Sequence, residues 1–62
     1  MSYEMACVFK GETAAALKIL DPASGEELWI PFSQIEEIHK KQYSDQGTIV
    51  MSDWIAEKKG LL

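Results

Sequence analysis

The chain has 62 residues, of which 47% are hydrophobic and 26% charged, and its formal net charge is −4. That is room for one domain (1–62), too apolar for a disordered tail and without the basic balance that marks a nucleic-acid binder. No apolar run approaches the ~20 residues of a spanning helix, and Met1 to Lys10 shows no basic region followed by an apolar stretch, so a soluble cytoplasmic protein with no membrane partner is expected.

From Tyr3 to Phe9 the residues alternate, with Met5, Cys7 and Phe9 on one side and Glu4 and Ala6 on the other, which predicts a half-buried strand. Lys10-Gly11-Glu12 reads as a tight turn. Thr13 to Leu20 continues as a strand with Ala15, Leu17 and Ile19 on one face and Lys18 opposite. Asp21-Pro22-Ala23-Ser24-Gly25-Glu26 is the strongest turn signal: Pro22 presets its φ, Asp21 can cap it, and Gly25 tolerates positive φ. Glu27 to Pro31 is then a strand stopped by Pro31, which has no N–H for a ladder. Leu28 and Ile30 point one way and Trp29 the other, so both faces of this strand are expected to be covered.

Ser33-Gln34-Ile35-Glu36 has capping-box spacing and predicts one turn of helix, with Ile35 and Ile38 on one side. Lys40 to Gly47 is polar and reads as a loop. Thr48 to Met51 is a β-branched strand, and Ser52 or Asp53 caps a final helix over Trp54 to Lys59. Asp53 lies at its positive end, Lys58 and Lys59 at its negative end. Gly60 stands where a left-handed terminator belongs, with Leu61 placed to fold back on Ile55 or Ala56. Two turns of helix cannot persist alone, so Trp54, Ile55 and Leu61 are expected to dock it on the sheet. These elements amount to an α+β domain: a small antiparallel, barrel-like sheet of four or five strands closed by a short C-terminal helix.

The segment Trp29-Ile30-Pro31-Phe32-Ser33-Gln34-Ile35, followed by Trp54, Ala56, Lys59, Gly60 and Leu61, resembles a group of small, functionally uncharacterised domains in phage and prophage-encoded proteins. These share a Trp-Ile-Pro-x-Ser-Gln-Ile segment and a Trp-x-Ala-x-x-Lys-Gly-Leu tail. The resemblance spans roughly Leu17 to Leu62, and Phe32 departs from the lysine usual at its position. It implies a phage or mobile-element origin, carries over no catalytic residue, and suggests an inhibitor or adaptor of a host machine.

Chemistry-bearing residues are sparse. Cys7 is alone, so no internal disulfide forms, and one Cys with one His, His39, does not make a zinc site. A triad of Ser33, His39 and an acid would need a pocket that so short a chain has little volume to build. Glu26 with Glu27, and Glu36 with Glu37, are adjacent pairs that point to opposite faces of a strand and do not converge on an ion. No cofactor, metal or catalytic residue is assigned.

The aromatic residues carry the functional reading. Trp54 and Trp29 are expected in the core, whereas Phe32, after a proline at a strand end, is the best exposed apolar contact. The leading function is a non-enzymatic protein-binding module, with Phe32 as anchor, Trp29 and Tyr43 beside it, and Glu26 and Glu27 as an acidic rim. The alternative is a single-strand nucleic-acid binder in which Trp29, Phe32 and Tyr43 stack bases and Lys40 and Lys41 meet phosphates. A third reading is a structural subunit acting through self-association. A homodimer also fits a core that has neither disulfide nor metal to staple it.

Overall fold

The computed structural model describes Met1–Leu62. Five strands, a 3₁₀ turn and one helix follow in order: β1 (Ser2–Glu12), β2 (Ala16–Leu20), β3 (Glu27–Pro31), the 3₁₀ turn Phe32–Gln34, β4 (Ile35–Lys40), β5 (Gln46–Ser52) and α1 (Asp53–Lys58). They make one sheet of order β3-β2-β1-β5-β4, and every neighbouring pair is antiparallel.

β1 serves two ladders in succession. Ser2 to Val8 pairs with β5, and Val8 to Glu12 pairs with β2. The sheet must also bend, because Pro31 and Ile35 belong to its two opposite edges and only three residues join them. In a flat sheet those edges would lie about 19 Å apart, at about 4.8 Å per strand. Four residue steps reach about 14 Å at most. The edges therefore curl toward each other at this end, but no ladder joins β3 to β4, and the sheet is open.

Cross-strand partners share a face, which accounts for the core. Cys7, Leu17, Ile19, Ile30, Ile49 and Met51 from the strands, with Ile55 and Ala56 from α1, are all buried in a single cluster. The outward face (Glu4, Lys18, Trp29, Glu37, His39) has no second layer over it, because α1 packs on the core side. The expectation that β3 is covered on both faces is thereby corrected. Its alternation is right, with Ile30 buried and Leu28 packed on the core.

Three local expectations are also revised. The first hairpin turns at Thr13–Ala15 rather than at Lys10–Glu12. Thr13 Oγ1 accepts from the amides of Ala15 (3.3 Å) and Ala16 (3.1 Å), while Gly11 marks a bulge inside the ladder. The capping-box segment forms a single 3₁₀ turn whose start has no side-chain cap, and Ile35 already belongs to β4. Ile35 and Ile38 still share a face, because a bulge between Ile35 and Glu37 shifts the register by one and sets them opposite Met51 and Ile49. Gly47, expected in a loop, lies in β5 opposite Cys7 and Lys40, and the loop is only Lys41–Asp45.

The C-terminus follows the sequence reading closely. Ser52 is the helix cap, its Oγ accepting from the Ile55 amide at 3.3 Å while donating to Gln34 Oε1 at 2.6 Å, so that one hydroxyl ties the 3₁₀ turn to α1. Gly60 has φ +74°, its amide donates to the Glu57 carbonyl (3.1 Å), and the Leu61 amide reaches back to Ala56 (2.8 Å). This pair of bonds is a Schellman ending, and Leu61 packs on the core, a hydrophobic contact that commonly accompanies that motif. No helix is long and apolar enough to cross a membrane.

Candidate interaction surface

The β2–β3 turn is braced by its own polar groups. Asp21 Oδ1 accepts from the Ala23 amide at 3.0 Å, the Ser24 hydroxyl donates to Asp21 Oδ2 at 3.2 Å, and the Glu26 amide donates to Ser24 Oγ at 3.2 Å. Gly25, at φ +77°, donates its amide to the Asp21 carbonyl at 2.7 Å. This closed turn delivers Glu26, exposed in the turn, and then Glu27 and Trp29 on the outward face of edge strand β3.

Trp29 lies directly across from Lys18 in the ladder. The Lys18 ammonium sits 5.7 Å from the indole centroid and 3.2 Å from Glu27 Oε1. One lysine therefore bridges ring and carboxylate. With 43% of its surface open to solvent, Trp29 is a surface residue and not the core residue expected, because nothing packs on the outward face.

Phe32 departs from expectation in the opposite direction. It is partly buried and packs against the core, where the curl of the sheet carries the 3₁₀ turn over the cluster. Tyr43 is 97% exposed in the β4–β5 loop and stands at φ +61°, a left-handed conformation uncommon for residues other than glycine. Trp29, Phe32 and Tyr43 thus occupy an outward sheet face, the core margin and a hairpin loop, and form no shared platform. Trp54 is the second correction among the tryptophans. It is 56% exposed on the solvent side of α1, with the Lys58 ammonium 5.0 Å from its ring, while Ile55 and Ala56 do the docking.

The remaining candidate groups are dispersed. Ser33 lies in the 3₁₀ turn before β4 and His39 near the far end of that strand, whose run from Ile35 to His39 covers about 13 Å at ~3.3 Å per residue. His39 Nε2 lies 2.7 Å from Glu37 Oε1, both on the outward face. Burial pushes the Cys7 thiol up to about 11, which suits an inert core hydrophobe rather than a nucleophile.

Sequence reasoning missed one surface feature. A groove of about 580 Å³ crosses the outward face, floored by Ala6, Val8 and Thr48 and bordered by Pro22, His39 and Lys41. Its residues come from three strands and two hairpin loops, so no local pattern signals it. Comparison with protein-family profiles, curated proteins and solved structures finds no match to this chain.

Proposed function

We propose that the chain is a non-enzymatic protein-binding module, of the phage or mobile-element origin that the resemblance implies, acting in the cytoplasm through the outward face of β3. One observation carries the reading: Trp29 is exposed on an edge strand yet held in place, with Lys18 spanning its ring and Glu27. A tryptophan offers large contact area at small entropic cost, and one already oriented loses less freedom when a partner covers it. Glu26 and Glu27 form the acidic rim, which favours a partner with basic groups around an apolar recess. The same reading takes the curled sheet as a small open barrel, with β3 and β4 as the lips of its seam.

The test is capture of host proteins on immobilised wild type and on Trp29→Ala, with circular dichroism confirming that both are folded. A partner held by wild type and lost by Trp29→Ala supports the reading; equal retention by both overturns it. Fluorescence anisotropy on labelled single-stranded DNA and RNA is expected to show no salt-sensitive binding, since counterion release at phosphate contacts would make true binding fall steeply with salt.

A further inference from the structure

Residues 36–40 of β4 read Glu-Glu-Ile-His-Lys, two acids and two basic side chains arranged about one isoleucine. β4 is an edge strand whose only neighbour is β5. At its end the Lys41 amide donates to the Gln46 carbonyl at 2.9 Å, so Lys41 faces β5. Backbone groups alternate sides along an antiparallel strand. His39 therefore faces β5 as well, while Ile38 and Lys40 turn their N–H and C=O groups to the open edge. The Ile38 side chain lies on the core face opposite Ile49, yet it is 44% exposed because no strand lies beyond it.

We propose that β4 is the interface of a symmetric homodimer, pairing antiparallel with β4 of a second copy about a two-fold axis at Ile38. That register sets Glu37, whose carboxylate already meets His39 Nε2 of its own strand at 2.7 Å, opposite His39 of the partner subunit, and brings Glu36, which stands in the β4 bulge, toward Lys40 of the partner subunit, each contact occurring twice by symmetry. Ile38 meets Ile38 of the partner subunit on the core face, and the two exchange N–H···O bonds at the axis. Opposite charges across a ladder stabilise it and like charges weaken it. A one-residue slip would turn every side chain to the wrong face. A two-residue slip would set Glu37 against Glu37 or His39 against His39, and parallel pairing would set every charge against its like. Of these registers, the one centred on Ile38 alone sets both acids against basic side chains and isoleucine against isoleucine. The ion pair between Lys40 and Asp45 is long, 3.8 Å, and exposed, so it yields readily to the new partner.

A ladder of five residues is smaller than the roughly 1,200–2,000 Å² interface of a stable complex, so the dimer is weak and concentration-dependent. The pairing rests on β4 alone and is independent of the Trp29 reading.

Sedimentation velocity over a concentration series up to about 1 mM, the weak end of measurable affinity, should carry the wild-type mass from 7.0 kDa toward twice that value. The variants Glu36→Lys/Glu37→Lys and His39→Glu/Lys40→Glu should each remain at monomer mass, and an equimolar mixture of the two should regain the dimer. Ile38→Pro removes the N–H at the open edge without removing a bond to β5, and should also be monomeric. Wild type that stays monomeric throughout overturns the proposal. So does a charge variant that dimerises alone as wild type does, or a mixture that fails to pair.

Discussion

The ring of Phe9 lies over Gly47 so closely that a Cβ added at position 47 would stand 2.8 Å from Phe9 Cε2 and 2.9 Å from the Lys40 Cα, and would overlap the His39 carbonyl oxygen. The missing side chain is what lets β1, β5 and β4 approach here, beside the bond from the Phe9 amide to the Asp45 carbonyl at 2.7 Å. A ring can rotate aside, but the backbone of β4 cannot without losing its ladder. Gly47→Ala should therefore destabilise by about 1–3 kcal/mol or more, the cost of overpacking. Urea denaturation reads this directly, and an unchanged midpoint would show that the strands part freely.

Gly60 needs its freedom for a different reason. Nothing lies within 4 Å of a Cβ built there, so space is no obstacle, but φ is +74°. Gly60→Val should cost about 1–3 kcal/mol through the left-handed backbone alone. Gly60→Asn should recover much of the loss, since asparagine tolerates that region. Thermal melts of the two variants separate backbone strain from steric clash.

Two neighbours in α1 should respond in opposite ways. Ile55 is buried in the core cluster, and Ile55→Ala should cost about 2–5 kcal/mol. Trp54 faces solvent, and Trp54→Ala should lose little beyond its contact with Lys58, about 0.5–1 kcal/mol for an exposed cation–π pair. A chemical-denaturation midpoint that falls further for Trp54→Ala than for Ile55→Ala would reverse this assignment.

Cys7 makes stability fall at alkaline pH. Its thiol is pushed up to about 11 from an ordinary value of 9.0, because burial penalises the thiolate. Below 9.0 the thiol is protonated in both native and unfolded chains and the contribution is intact. Between 9.0 and about 11 the unfolded chain sheds the proton while the native chain keeps it, and stability declines. Cys7→Ala should lack that part of the slope when urea midpoints are compared across the window, and native Cys7 should alkylate much more slowly than the unfolded chain.

Much of the local structure is legible in the residues. The β3 alternation, the Asp21–Glu26 turn, the Ser52 cap and the Gly60 ending all arise from interactions within about six residues, and each stands where its pattern places it. Strand β4 was not legible. Its Ser-x-x-Glu spacing and its isoleucines three apart imitate a helical turn, and only a bulge opposite β5 reconciles that spacing with a strand. Surface placement was legible in part: Glu26 and Glu27 are exposed as expected, whereas Trp29 and Trp54, expected in the core, face solvent and Phe32, expected to be exposed, packs on the core.

The reason is that periodicity reports which residues share a face, and not what lies over that face. Trp29 had to oppose Leu28 and Ile30 in any strand, but whether it met a second layer or water depended on where α1 docked. Helix α1 docked on the core side, which left the outward face open. Phe32 followed the curl of the sheet, a long-range consequence of β1 pairing first with β5 and then with β2. Caps, turns and alternation are short-range properties that the chain carries locally. Exposure, edges and the juxtaposition of Lys18, Glu27 and Trp29 depend on contacts between distant segments, and those exist only once the strands have assembled into the curled sheet.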